Sequence, residues 1–224
     1  MDQWLERETP DVQRALKNAA EHFDSDDALD VHVLEGVYGQ ESRFGQNLRR
    51  REMKGAAGHF HMEAETAREM GITVNKSGDQ RFDLDESSGA AARYLNVLDH
   101  NFRKDSTVFG NLKTTGISNP DERLKFTLGA YNGGAKAIAE AQQRALEDGK
   151  NPTKWDEVKN YLGDSKKAKE IRGYVEKVLK YSKEFSKKSK IIAKRKRKPK
   201  KGSNTPIGWH WITIHGRHIL VRDK

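Results

Sequence analysis

The 224-residue chain contains no cysteine. A disulfide scaffold, a thiolate metal site and a cysteine nucleophile are therefore excluded. Compartment stays open, because a thiol-free chain suits reducing and oxidising surroundings alike. Long apolar runs are missing as well. No uninterrupted stretch of A, V, I, L, M, F, W, Y or C exceeds three residues, far below the roughly 20 that a spanning helix requires. A soluble chain with no transmembrane segment is expected. The opening MDQWLERETPD has neither a basic n-region nor an apolar h-region, so no Sec-type signal peptide is expected in the sequence as written.

Charge is plentiful but unevenly placed. The chain carries 42 Lys+Arg against 33 Asp+Glu, a formal net charge of +9. Residues 187–224 hold 13 of the basic residues and a single acid, Asp223, a balance of +12. That leaves 29 basic and 32 acidic residues in the rest, a balance of −3. The chain is thus a near-neutral body with a cationic tail, and its length suits one ordinary domain with appendages.

The body reads as helices separated by short punctuation. Thr9-Pro10 is an N-cap followed by proline in the first turn, and Val12, Leu16, Ala19 and Phe23 recur on one helical face. A second helix is expected to open at Ser25 or Asp26, to carry Leu29, Val33, Leu34 and Val37, and to end near Gly45. Residues 46–62 look like a Gly-rich loop, and Ala64–Met70 a short helix closed by Gly71. Asp83 with Glu86 resembles a capping box ahead of Ala91, Tyr94, Leu95, Leu98 and Phe102. Leu124, Leu128 and Tyr131 mark a helix that stops at Gly133-Gly134. Ile171, Tyr174, Val175, Val178, Tyr181 and Phe185 form the longest clean face. From Ser186 the run KKSKIIAKRKRKPKKGSNTP is too polar to bury a core and reads as a linker. In the closing GWHWITIHGRHILVRD, Trp211, Ile212 and Ile214 precede His215-Gly216, and Ile219, Leu220 and Val221 follow, the pattern of a hairpin. A lone hairpin is marginal in water, so it is expected to dock on this body or on a partner.

Glu41 is the first candidate for chemistry. It lies four residues beyond Val37, seven beyond Leu34 and eight beyond Val33, on the apolar face near the end of a helix. Lost hydration and the negative end of the helix dipole both favour the protonated carboxyl there, the form a glycosidic general acid needs. The same spacing also fits a carboxylate that caps the helix end and points to water. Glu35, Glu52, Glu63 and Glu65 could supply the second carboxyl that most glycosidases use, but none sits in a recognisable motif, and surface solubilising charge is the plainer expectation for each. The eight histidines include His59 and His61 in the loop and His215 and His218 near the C-terminus, with no HExxH spacing, so no metal is expected. No GxxxxGK[ST] pattern supports nucleotide binding. Trp4, Trp209 and Trp211 read as core or docking residues, and Trp155 stays open between core and sugar platform.

Four blocks in order alter the weighting of Glu41. Glu41-Ser42-Arg43-Phe44-Gly45, then Gly55-Ala56-Ala57-Gly58-His59-Phe60-His61, then Ala130-Tyr131-Asn132-Gly133-Gly134, then Arg172-Gly173-Tyr174-Val175 resemble the lytic transglycosylase (SLT) domain of the goose-lysozyme-like group. Ala67 and Gly71 fit between them. The resemblance covers roughly residues 25–185. It implies a mainly α, lysozyme-like helical domain that needs no cofactor and acts on peptidoglycan glycan strands. Glu41 falls at the family's catalytic acid/base, Ser42 at a residue that orients substrate or carboxyl, and Tyr131 and Asn132 at cleft positions that contact the sugar. Tyr174 falls at a cleft tyrosine near the catalytic carboxyl, and His61 at a substrate contact where the family usually has Gln. That departure trades an amide's two donors and an acceptor for a neutral imidazole's one of each. The implied reaction is cleavage of the N-acetylmuramic acid–N-acetylglucosamine bond with 1,6-anhydro ring closure. A hydrolytic lysozyme of the same fold and a non-catalytic wall-binding or virion module are the competing functions.

The expected organisation is an N-terminal helical segment (1–24), the catalytic domain (25–185), a basic linker (186–206) and the hairpin (207–224). Lys194–Lys201 (KRKRKPKK) could bind nucleic acid, an anionic membrane surface or acidic wall polymers, or serve as a solubilising linker. The closing segment also looks like short C-terminal pieces of some phage structural proteins. With no leader in the sequence as written, this suggests a wall-cutting protein delivered in a virion or by a secretion apparatus.

Overall fold

Caps decide where the helices begin. In the computed structural model, which describes residues 7–24, 28–49, 55–197, 209–214 and 217–222, α1 (Pro10–Ala20) starts where Thr9 accepts the backbone N–H of Val12. Its Val12, Leu16 and Ala19 are buried, as their spacing requires. α2 (Val31–Ser42) is capped by Asp30, whose carboxylate accepts the Val33 N–H at 2.8 Å. The start expected at Ser25 or Asp26 lies outside the described residues, and the helix proper opens later, at the acid standing directly before the apolar run. α3 (Ala64–Glu69) leads to a two-stranded pair, β1 (Val74–Asn75) and β2 (Gly78–Asp79), and then a 3-10 turn at Gln80–Phe82. α4 (Leu84–Arg103) begins where the Asp83 carboxylate accepts the Glu86 N–H at 3.0 Å.

The core is built around α4. Ala90, Ala91, Ala92, Leu95, Leu98 and Phe102 are all buried, and the helix packs on α1 and on α5 (Pro120–Gly133). Between α4 and α5 the chain makes a second small pair, β3 (Thr107–Phe109) and β4 (Leu112–Lys113). A buried ion pair joins α4 to α5: Arg123 Nε lies 2.9 Å from Asp99, and Arg123 Nη1 donates to the Ile117 carbonyl at 3.0 Å. Both charges are satisfied by hydrogen bonds, the condition under which burial is tolerated. After α6 (Ala135–Glu147), α7 (Trp155–Val158) brings Trp155 into the core. Its ring meets Phe126 edge-on at 5.3 Å, and a Cβ at Gly129 would lie 2.8 Å from it. Trp155 is therefore core and not a sugar platform; Trp4 lies outside the described residues.

α8 (Lys166–Arg197) is the longest helix. It crosses α2 at Gly36, where a Cβ would stand 2.9 Å from the Val178 carbonyl oxygen. Leu34 and Val37 on α2, with Ile171, Val175 and Val178 on α8, are at most 2 % exposed around this contact.

The chain divides into two units, residues 1–185 and 186–224. The N-terminal helix belongs to the first unit and shares its core. The linker expected over 186–206 is helical as far as Arg197; Lys, Arg and Ala are good helix formers, and from Ser186 no Gly or Pro interrupts until Pro199. Residues 198–208 lie outside the described ones. In the second unit β5 (Trp209–Ile214) pairs antiparallel with β6 (Arg217–Arg222), from Trp209↔Arg222 to Ile214↔Arg217. This is the hairpin predicted from the sequence, and its His215-Gly216 turn lies outside the described residues. Among the described residues no helix is long and apolar enough to cross a membrane.

The α2–α8 crossing generates the first prediction. Gly36→Ala forces a methyl against backbone and not against a yielding side chain, so about 1–3 kcal/mol of stability is expected to be lost. Thermal melting of wild type and variant checks this, and an unchanged midpoint would refute the close contact.

Candidate active site

Glu41 projects from the last turn of α2, and its side chain is 14 % exposed. The helix ends immediately after it. Arg43 takes the left-handed conformation (φ 53°) and donates its N–H to the Gly39 carbonyl, and Phe44 (φ 57°) turns inward to pack on Tyr38 and Phe185. Ser42, expected to contact substrate, does not reach the cleft. It is fully buried, donates to the Tyr38 carbonyl and accepts the Gly45 N–H at 3.0 Å. Consecutive helical residues point about 100° apart, so with Glu41 facing the groove, Ser42 faces the core and fastens the helix end.

The loop after α2 carries His61 up to Glu41. His61 Nδ1 lies 3.3 Å from a Glu41 carboxyl oxygen, and Nε2 lies 2.8 Å from the Asn47 carbonyl. A carbonyl only accepts, so Nε2 holds a hydrogen, and Nδ1 offers Glu41 a lone pair unless the ring carries a second proton. His61 sits at φ 45°, a region uncommon for a side-chain-bearing residue and one that surrounding structure must enforce.

That enforcement comes from Arg81, which is 1 % exposed. Its guanidinium binds Asp79 at 2.7 and 2.9 Å and donates to the carbonyls of Gly55 (2.6 Å) and Met62 (3.0 Å) in the loop. Backbone bonds from His59 N to the Arg81 carbonyl and from Ala57 N to the Met62 carbonyl complete the clamp. Gly58, at φ 81°, presses so closely on Arg81 that a Cβ would stand 2.0 Å from its carbonyl oxygen. The sequence reading did not single out Arg81; an arginine two residues after an aspartate at a turn carries no distinctive pattern.

Two tyrosines close the far side. Tyr131 on α5 and Tyr174 on α8 stack with ring centres 6.3 Å apart. The Tyr131 hydroxyl donates to the Phe60 carbonyl at 3.0 Å. The Tyr174 hydroxyl is buried without a hydrogen bond of normal geometry, while the Glu41 carboxyl is near enough to act on it. Burial first, and Glu41's charge second, push both hydroxyls well above the ordinary tyrosine value. They therefore stay protonated at and around neutral pH.

The groove itself runs past Glu41 in two lobes of about 490 and 370 Å³. Glu41, His61, Asn132, Arg49 and Glu170 line both lobes. Tyr174 lines the first and Tyr131 the second, so the structure brings Glu41, His61, Tyr131, Asn132 and Tyr174 together. Arg49 and Glu170 were not anticipated. Glu170 was within reach, because it precedes Tyr174 by four residues and so shares its helical face. Lys167 lies 3.9 Å from Glu170 and donates to Asn132 at 3.3 Å.

Of the other carboxyls, Glu63 is exposed at the second lobe, Glu65 is exposed outside both, and Glu52 lies outside the described residues. Glu35 is not surface charge. It is 6 % exposed, about 120° round α2 from Glu41, and its carboxylate meets His32 Nδ1 at 2.8 Å. Burial raises it to about 7 against the opposing His32 bond, with Glu8 adding to the rise. Among the described residues no cluster of three His, Cys, Asp or Glu could hold a metal.

The model of the family described as the transglycosylase SLT domain matches residues 19–153. Membrane-bound lytic murein transglycosylase F of Desulfosudis oleivorans is 31% identical over 134 residues, 60% of this chain and 25% of that protein. The protein of the same name from Cellvibrio japonicus is 30% identical over 158 residues, 70% of this chain and 27% of its own. That of Pseudomonas fluorescens is 28% identical over 160 residues. The chain spans about a quarter of the length of the curated relatives it matches.

Two predictions arise here. Arg81→Met strands the Asp79 carboxylate and two loop carbonyls, and is expected to cost about 3–5 kcal/mol. Denaturant midpoints together with amide exchange over 55–62 measure it, with faster exchange in that loop as the signature. For Glu35, the folded protein keeps to about 7 a proton that the free side chain releases near 4.5. Its contribution to stability is full below 4.5 and is lost as pH rises through about 7. His32, raised chiefly by its bond to Glu35, shifts the balance in the same direction. Melting temperature should therefore fall across that window, and Glu35→Gln should flatten the fall.

Proposed function

The chain belongs to the transglycosylase SLT domain family, and on that footing we propose that it cleaves peptidoglycan glycan strands between N-acetylmuramic acid and N-acetylglucosamine, with Glu41 as the one acid/base. The reading rests on a single observation: Glu41 is the sparsely exposed carboxyl at the junction of the two lobes. A strand lying through both lobes has a glycosidic bond at that carboxyl. Similarity to proteins named lytic murein transglycosylases supports the substrate class.

The steps follow from the position of that group. The Glu41 carboxyl gives its proton to the leaving glycosidic oxygen as the C1–O bond breaks. The resulting carboxylate takes a proton from the muramyl C6 hydroxyl, whose oxygen attacks C1 and closes the 1,6-anhydro ring. One proton leaves and one returns, and no water is consumed. Tyr174 offers a neutral hydroxyl beside the carboxyl, and Asn132 an amide in both lobes. His61 holds Glu41 from the loop side.

Glu170 favours a second reading. It lines both lobes, and a second carboxylate opposite an acid is the requirement of hydrolysis by a lysozyme. Against it, Glu170 is half exposed and held toward Lys167.

Muropeptide mass analysis after digestion of purified wall material decides. Wild type is expected to release anhydro ends, one water lighter than reducing ends. Glu41→Gln is expected to lower turnover about 10²- to 10⁴-fold, while Glu170→Gln leaves anhydro ends as the product. Reducing ends from wild type, lost in Glu170→Gln, would replace this reading with the hydrolytic one. Equal turnover by wild type and Glu41→Gln would remove Glu41 from the mechanism.

A further inference from the structure

The first unit has more acids than bases, yet one wall of its groove is cationic. Lys166, Lys169 and Lys177 on α8 line the lobe that holds Glu41 and Tyr174, with Arg49 also lining it and Glu170 the one acid α8 adds. The three lysines span eleven residues of helix, about 16 Å, and share one face. None makes an ion pair among the described residues, whereas Lys167 beside them is drawn to Glu170 and Asn132. Gly173 lies between Lys169 and Lys177 on the same face, and a Cβ there would meet nothing within 4 Å. The absence of a side chain at 173 relieves no clash; it keeps the groove open between the cations.

We propose that this row binds the carboxylates of the peptide stems carried by the glycan strand, so that the protein selects strands with anionic stems over strands whose stem carboxylates are amidated. The inference rests on the proposed function, because it takes the occupant of the groove to be a peptidoglycan strand. The sugars of such a strand are neutral, and on a stem-bearing sugar the lactyl carboxyl is consumed in an amide bond. Free negative charge then resides on the stem. The stem is tied to the sugar at the reacting bond, and the lysines lie within the lobe that contains the reacting carboxyl. Exposed charges of this kind act over about 10 Å and weaken with salt.

Two strand preparations of equal length and stem sequence test this, one with free stem carboxylates and one with the same groups amidated. Wild type is expected to show a KM for free-carboxylate strands lower by on the order of tenfold, with the advantage shrinking as salt rises. In Lys166→Gln/Lys169→Gln/Lys177→Gln the ratio of the two KM values is expected to approach one. Discrimination that survives in the triple variant, or is missing from wild type, overturns the inference. Binding of uncleaved strands to Glu41→Gln separates this outcome from failure of the proposed reaction. Preferential binding of anionic stems without cleavage by wild type defeats the reaction and leaves the row assigned. Cleavage without preference does the reverse. A short single-stranded nucleic acid held by Glu41→Gln as tightly as anionic strands also overturns the stem assignment.

Discussion

The close approach of α2 to α8 is the constraint on which the groove depends. Helix separation depends on the side chains between the axes, and Gly36 permits a close approach by placing no side chain against the Val178 carbonyl. Five residues along α2 from this contact is Glu41, and four residues back along α8 is Tyr174, so the two helices run antiparallel and deliver both groups to the same place. α5 arrives beside them, with Gly133 against Ile171, and supplies Tyr131 and Asn132. A carboxyl at a helix end would ordinarily turn to solvent. Here three helices converge around it, and solvent reaches it only along the groove.

The fourth wall is not helical, and a different interaction builds it. A loop has no internal hydrogen-bond ladder, so its conformation must be imposed from outside. Arg81 imposes it by directing its donors to Asp79 and to the carbonyls of Gly55 and Met62. The cost of burying a guanidinium is offset only because every contact is a hydrogen bond to a charge or a carbonyl. The left-handed backbone at His61 is held in the same way: the strain is local, and the support comes from residues 55–62 and 79–81 together.

Much of this was legible in the sequence, for reasons that can be named. Thr9 and Asp83 mark helix starts because a side-chain oxygen three residues ahead of an amide is a local device, independent of tertiary context. The α8 face from Ile171 to Phe185 was legible because burial on one side of a long helix repeats at 3.6 residues. The hairpin at 209–222 was legible from β-branched residues about a turn. The features that the sequence did not disclose share the opposite property. The resemblance gave Ser42 a part in orienting substrate or carboxyl, but its burial could not be read there: adjacent helical residues point to different faces, and Ser42 faces the core. Glu35 was taken for surface charge although His32 stands three residues before it, because α2 is buried on every side from Val33 to Gly39 and has no polar face for a one-sided pattern to reveal. Arg81 and the lysine row depend on which elements meet in space. The linker expected from charge alone begins as helix because composition reports polarity, while helix continuation depends on the absence of Gly and Pro.

The histidine at 61 decides what the Glu41 carboxyl meets on its loop side. An amide at that position would donate an N–H to the Glu41 carboxyl in any protonation state. The imidazole has already committed its Nε2 hydrogen to Asn47, so what it presents to Glu41 depends on its own charge. Neutral, it presents a lone pair, which matches a carboxyl that still carries its proton and opposes one that has lost it. Charged, it presents a hydrogen, which matches the carboxylate. The contact therefore differs between a protonated and an ionised Glu41, and neither neighbouring hydroxyl makes that distinction, because burial and the Glu41 charge hold Tyr131 and Tyr174 in the protonated form. The asymmetry follows from one backbone carbonyl, that of Asn47, fixing the ring from behind. A residue at 61 whose only fixed feature were its side-chain size would fill the same space without any response to the protonation state of the Glu41 carboxyl.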